Sequence, residues 1–312
     1  MRSVQSRAVF VHGPEAFRIS GVKMAAFEYH RPETVDEALA LLAERGDDGK
    51  ILAGGQSLLA VMAMRLSTPA HVIDIGAIAG LAHISTDTTH LSCGALVRQS
   101  TAEIAPLVAK ETPLVSRAFP WIGHRAIRNR GTVCGSLAHA DPAAELPAVA
   151  LALGAEFVLR SSTGTRTVAA ADFFQGFLST ATADDELLIE VRFPRRAKTA
   201  GYAIDEISRR HGDFAMAGAA VALEFAADET IAVAAISLFS VSDTPVRASE
   251  AEQLMLGHKP SPGLFAEAAA AASKHINPSS DDHASGAYRR HIAGVLTKRC
   301  LVAAPKDAGV AK

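Results

Sequence analysis

The apolar positions of the chain fall into two regimes. Up to about residue 195 they come in short runs. Residues 25–29 and 51–53 read as brief strands and 71–75 alternates as a third, while Val35, Ala38, Leu39 and Leu42 recur at helical spacing. Thr34 with Glu37 three residues later is a capping box, in which hydroxyl and carboxylate each serve the other's neighbouring amides. A helix should therefore start there and run to about Arg45. A second apolar helix is expected over 58–66, ended by Pro69, so this stretch forms a compact β-α-β-α-β unit. Further on, 91–93 and 156–160 read as strands, and 102–109, 114–124 and 145–153 as helices, the last closed by Gly154. From about residue 200 the texture changes to long alternating strands, 214–225 and 231–241, followed by helices over 248–256, 262–275 and 284–301. The charged, proline-flanked segment 195–199 marks the change.

Composition narrows the function classes. Lysine plus arginine total 31 against 33 for aspartate plus glutamate, which leaves no electrostatic footprint for nucleic acid or an anionic membrane surface. No apolar run reaches the eighteen or so residues of a membrane span. Cys93, Cys134 and Cys300 show no CxxC spacing, so the chain alone supplies neither a disulfide framework nor a cysteine-ligated zinc or iron–sulfur centre. That usage fits a reducing, cytoplasmic compartment. Residues 1–23 carry Arg2, Arg7, Arg18 and Lys23 without a continuous apolar segment, and read as a disordered leader ahead of a start near Met24.

Two glycine-bearing segments carry the candidate chemistry. Ala53-Gly54-Gly55-Gln56-Ser57, leading into a helix at Leu58, is how a backbone builds an anion site, because free amides converge where no Cβ blocks approach. It matches neither GxGxxG nor GxxxxGK[ST], which argues against a Rossmann or P-loop site. The second segment, 128–142, is too polar and glycine-punctuated for an ordinary element, and long irregular stretches in compact domains are usually functional. Its Thr132, Val133, Cys134, Gly135 and Ser136 would add donors to the same ligand. His139 and Asp141, two residues apart, are expected to bond local backbone rather than act as an acid–base pair.

The stretches LAGGQSLLAVMAMRLSTPAHVIDI and IRNRGTVCGSLAHADPAAELPA resemble the two FAD pyrophosphate loops of the molybdenum-hydroxylase flavoprotein subunits, the group that includes carbon monoxide dehydrogenase and xanthine dehydrogenase. The likeness runs from about Ala25 to the C-terminal helix. It implies an α+β fold of the vanillyl-alcohol-oxidase (PCMH) type: an FAD-binding domain over 24–197, with subdomains of about 24–80 and 81–197, then a C-terminal domain of antiparallel strands and helices over 198–312. It also implies that Ala53 to Leu58 and Thr132 to Ser136 contact the diphosphate, that Ile122 and Gly123 line the flavin-nucleotide pocket, and that Glu145 hydrogen-bonds the cofactor. Leu188 would offer a backbone contact and Asp205 would approach FAD.

Arg209-Arg210-His211-Gly212-Asp213-Phe214-Ala215 resembles the segment that sets a side chain beside the isoalloxazine; relatives often carry Tyr where Phe214 stands, and a plain core aromatic is the alternative reading. Cys134 stands where the family has glycine, so either the backbone there is ordinary or a small side chain is tolerated. The resemblance further implies a small 2Fe-2S subunit and a large molybdopterin subunit as partners, no catalytic residue or metal in this chain, and an external acceptor such as NAD, oxygen or a quinone. Two other readings stay open at this stage: a flavin-free structural or assembly subunit, and a self-contained flavin oxidase.

Overall fold

The computed structural model describes residues 24–196 and 199–310; the leader expected over 1–23 lies outside the described residues. The first unit comprises β1 (Glu28–His30), α1 (Val35–Arg45), β2 (Gly49–Leu52), α2 (Leu58–Ala63) and β3 (His71–Asp74), with a parallel sheet in the order β1-β3-β2. The capping box forms in a modified version. Thr34 Oγ1 accepts from the Glu37 amide at 3.1 Å, but the Glu37 carboxylate takes the amide of Glu33, one residue earlier than expected, at 2.8 Å. Ala38, Leu39 and Leu42 are buried, as the helical spacing requires. β1, only three residues long, is also fastened by side chains, His30 Nε2 lying 3.0 Å from His71 Nδ1 on β3.

The second unit begins with β4 (Ile84–Thr86) and β5 (His90–Gly94), then a helical stretch of α3 (Gln99–Ile104), α4 (Pro106–Glu111), α5 (Pro113–Ala118), α6 (Arg125–Arg128), α7 (Val133–His139) and α8 (Glu145–Leu153). It closes with β6 (Glu156–Ser161), β7 (Gly164–Ala169), α9 (Ala170–Phe173), β8 (Phe174–Gly176), β9 (Ser179–Thr180) and β10 (Leu187–Pro194). The sheet runs β4-β5-β10-β6-β7, antiparallel throughout. Two sequence expectations are corrected here. The helix expected over 102–109 is two helices, since Pro106 has no amide to continue the first and starts the second at its first turn. The irregular segment 128–142 contains α7, whose first turn is closed by Thr132 Oγ1 accepting the Gly135 amide at 3.0 Å. Every residue of α8 is buried, which explains why its sequence after Glu145 is uniformly apolar.

The C-terminal unit has β11 (Ala200–Ile207), β12 (Ala217–Phe225), β13 (Ile231–Phe239) and β14 (Val246–Arg247) in sequential antiparallel order, followed by α10 (Ser249–Met255), α11 (Pro262–Lys274) and α12 (Gly286–Asp307). β12 is buried almost end to end rather than alternating. Its two faces serve two cores: Ala220 and Ala222 join the apolar cluster of the first two units, whereas Ala219, Val221 and Leu223 pack in the cluster that includes Leu296 and Leu301 of α12. A strand covered on both sides needs no polar stripe. Among the described residues no helix is long and apolar enough to cross a membrane.

Candidate cofactor site

The two glycine segments meet backbone to backbone. A Cβ on Gly54 would run into the carbonyl oxygen of Arg130 and come within 2.8 Å of Gly131 Cα, so only glycine permits the approach. Gly55 follows at φ 74°, in the left-handed region, and turns the chain into α2. The second segment is pinned from below: the Gln99 amide donates to Gly131 O at 2.9 Å, the Val133 amide donates to Val97 O at 2.9 Å, and the Arg98 guanidinium donates to Arg130 O. The second loop is thus fixed on residues 97–99, and Gly54 rests against it.

Beside this junction lies a cavity of about 240 Å³, between the first subdomain and the second. Ala53, Cys134, Gly135 and Leu188, all expected at the cofactor, line it together with Ile51 and Ala138. Cys134 is helical, with φ outside the left-handed region, and its buried thiol donates to Cys93 O at 3.5 Å. Burial holds that thiol well above the usual range, so it is a packed side chain and not a nucleophile. Asp141 accepts the Ala143 amide at 2.8 Å and stays 4.0 Å from His139, as expected of a local turn.

A second cluster forms where the C-terminal unit closes over α5–α8. Ile122 and Gly123 sit in a turn held by Arg128, whose Nη1 donates to Ile122 O at 2.9 Å while Nε and Nη2 grip Glu103 at 2.8 and 3.1 Å. Gly212, at φ 89°, presses on this turn: a Cβ there would lie 2.6 Å from the His124 ring and 2.8 Å from Gly123 O. The loop 208–216 is therefore seated on residues 123–124, and the Ser240 amide donates to Pro142 O at 2.7 Å nearby. Phe214 departs from the core-aromatic alternative. It precedes β12, which starts only at Ala217, and is 72% exposed, leaving its ring free at the rim of this junction.

Glu145 is buried at the first turn of α8, and burial pushes its carboxyl up to about 7. Asp205 is not brought to it; strand alternation turns Asp205 toward α12, where Arg299 lies 3.6 Å away. The next residue, Glu206, faces the α8 side instead. It is buried, without a hydrogen-bond partner on either oxygen, and is pushed up to about 8, first by burial and then by Glu145. Sequence reasoning missed Glu206, although Tyr202 and Ile204 precede it at two-residue spacing, and an acid on an apolar strand face is a usable signal.

The pair makes a pH prediction. Each carboxyl ionises in the unfolded chain near its ordinary value of 4.5 and in the folded chain only near 7 and 8. Between these limits the folded state holds the extra protons, so its contribution is favourable at low pH and is lost as pH rises through the folded values. For the FAD-free chain, Glu206→Gln should melt close to wild type at pH 5 and progressively above it toward pH 8.5. Parallel melting curves would show that Glu206 is not buried.

The donors present suit FAD: two touching glycine loops for a diphosphate, with a cavity beside them that Ala53, Cys134, Gly135 and Leu188 help to line. The family described as the FAD binding domain in molybdopterin dehydrogenase matches residues 25–196, and the CO dehydrogenase flavoprotein C-terminal domain matches residues 202–304. Caffeine dehydrogenase subunit beta of Pseudomonas sp. (strain CBB1) is 38% identical over 91% of this chain and 96% of its own length. The carbon monoxide dehydrogenase medium chain of Hydrogenophaga pseudoflava is 36% identical, with 89% and 96% covered. Among solved structures, carbon monoxide dehydrogenase from the same organism superposes with a TM-score of 0.89 at 37% identity, covering 91% of this chain and 99% of that one. Quinoline 2-oxidoreductase from Pseudomonas putida 86 gives a TM-score of 0.86 at 36% identity, covering 92% of this chain and 99% of that one. The chain thus belongs to the FAD-binding medium subunits of the molybdenum hydroxylases and is an oxidoreductase component whose cofactor is FAD.

Proposed function

We propose that this subunit relays electrons in a three-subunit molybdenum hydroxylase. A large partner oxidises the substrate at molybdopterin, a small partner conducts electrons through 2Fe-2S clusters, and this chain holds the FAD from which they leave to an external acceptor. What carries the reading is the near full-length correspondence with medium chains of such dehydrogenases, together with the two loops locked in contact at Gly54. FAD, when bound, supplies two-electron redox chemistry. The chain's own residues have a positioning task. Ala53 to Leu58 and Thr132 to Ser136 would hold the diphosphate. Ile122, Gly123 and Glu145 would border the flavin half, with Leu188 lining the cavity wall and Phe214 at the rim. Asp205, which the resemblance sets near FAD, lies 3.6 Å from Arg299 of α12. With three cysteines, all buried as free thiols, the chain has no set of ligands for a 2Fe-2S cluster, in keeping with clusters on a partner. Cys134 fits its helix without strain, which removes one reason to favour a flavin-free assembly subunit.

Purification from the native host, followed by absorbance and identification of what co-purifies, tests this. FAD released on denaturation, with partners carrying 2Fe-2S and molybdopterin, is the expected result. A yellow protein without partners that oxidises a substrate alone would make it a self-contained oxidase, and a colourless one in the same assembly would make it structural.

A further inference from the structure

Strand alternation brings three ligand-type side chains to one face of the first sheet. Glu28 and His30 stand two apart on β1, and the parallel register sets His71 of β3 beside Glu28. His71 Nδ1 lies 3.0 Å from His30 Nε2 and 3.3 Å from a carboxylate oxygen of Glu28, and the three ligand atoms all fall within 4.8 Å of one another. Tyr29, between the two β1 residues, serves the other face, its hydroxyl donating to Asp74 at 2.5 Å. None of the three residues lines the cavity beside the glycine loops, so the cluster stands apart from the cofactor site.

Protons alone do not satisfy this arrangement. His71 Nδ1 is the shared neighbour, and a ring nitrogen offers either one N–H or one lone pair. With the N–H, it divides a single proton between the His30 lone pair and the Glu28 carboxylate. Without it, it accepts from His30 Nε2 but turns its own lone pair toward an anion. A cation takes all three lone pairs at once. Two ligands of a tetrahedral ion, each held at about 2.0–2.2 Å, stand about 3.3–3.5 Å apart. The contacts of 3.0 and 3.3 Å are therefore close to the spacing an ion needs. His30 is 7% exposed, and among the described residues His71 is the hydrogen-bonding partner its ring finds. The Glu28 side chain is 39% exposed, which leaves a way in for an ion and a fourth position for water. Arg45 of α1, a cation in range of His30, is itself paired with Glu44 at 3.2 Å.

We propose that Glu28, His30 and His71 form a binding site for a divalent transition-metal ion of the zinc class, an ion the resemblance does not call for. Two imidazoles and a carboxylate suit such an ion, whereas magnesium and calcium take oxygen ligands. The ion joins β1 to β3. β1 is an edge strand of three residues, and β3 in turn carries β2, whose last residue, Leu52, leads into the Gly54 loop. The site is structural: it fastens the edge of the sheet that supports the first glycine loop and has no part in electron transfer.

The test uses the full-length chain, cleared of metal with a chelator and titrated with zinc chloride, with bound metal and thermal unfolding as readouts. Wild type should retain one zinc per chain through gel filtration and melt higher with zinc than without it. Glu28→Gln, at a partly exposed position, keeps the size of the side chain and loses its charge. It should bind at least about tenfold more weakly, since losing even an outer partner of a ligand has an effect of that order. His71→Gln, which removes the nitrogen next to both other ligands, should lose the zinc and the rise in melting temperature. His275→Ala removes a half-exposed imidazole beside Glu250 and should bind zinc as wild type does. Cobalt in place of zinc should give wild type visible ligand-field bands that His71→Gln lacks. Zinc that is substoichiometric in wild type, or held equally tightly by wild type, Glu28→Gln and His71→Gln, overturns the site. No readout involves flavin, so the outcome is independent of the FAD reading.

Discussion

Replacing Gly54 by valine is expected to give a protein that purifies without flavin. The added Cβ would overlap Arg130 O and press on Gly131 Cα at 2.8 Å, and both are backbone atoms that no rotamer change can move aside. Arg130 and Gly131 are themselves tied to Arg98 and Gln99, so the second loop cannot retreat without breaking those bonds. Overpacking of this kind typically costs about 1–3 kcal/mol. Here the loss falls on the geometry shared by the two loops, and about 3 kcal/mol corresponds to about a hundredfold in affinity. FAD titration of the stripped variant should show that drop, whereas Gly263→Ala, where a Cβ meets nothing within 4 Å, should bind as wild type does. Retention of wild-type affinity by Gly54→Val would remove the loop contact from the cofactor site.

The sequence made the two loops legible because glycine is diagnostic where backbones touch, and Gly54 is unavoidable at that contact. It also exposed the first α helix and the parallel unit around it, where helical spacing, Thr34 and Pro69 agree. What it hid came from packing at a distance. Polarity and glycine made 128–142 read as irregular, yet a single hydroxyl, that of Thr132, suffices to start α7 there. The burial of both faces of β12 depends on which partners arrive on each side, and one strand's sequence does not specify them. For the same reason Glu206, whose side of β11 faces α8, is passed over beside Asp205, which the resemblance sets near FAD. A shift of one residue in a strand exchanges its two faces. Phe214 could be read as a core aromatic or a flavin neighbour; β12 begins three residues later and the ring is exposed, which goes against the core reading alone.

Arg128 is the residue through which the 122–124 turn is most exposed to mutation. Its guanidinium joins Glu103 on α3 to the carbonyl of Ile122, and so fixes the turn on which Gly212 and the 208–216 loop rest. The Arg128 side chain is 11% exposed and that of Glu103 24%, so the pair is partly desolvated, and its geometry is bidentate. Removing one partner of a fully buried pair costs about 3–5 kcal/mol; with residual solvent at Glu103, about 2–3 kcal/mol is expected for Arg128→Ala in denaturant unfolding. Lysine should not restore it, because one ammonium cannot grip a carboxylate with two parallel donors and still reach Ile122 O. If the turn also frames the flavin, Arg128→Ala will weaken FAD binding by about tenfold beyond any loss of folded protein, whereas Glu103→Gln, which keeps a hydrogen-bond acceptor for the guanidinium, will lose less. Equal losses of stability in both variants with FAD affinity untouched would make Arg128 a strut of the fold alone and would place the flavin away from the 122–124 turn.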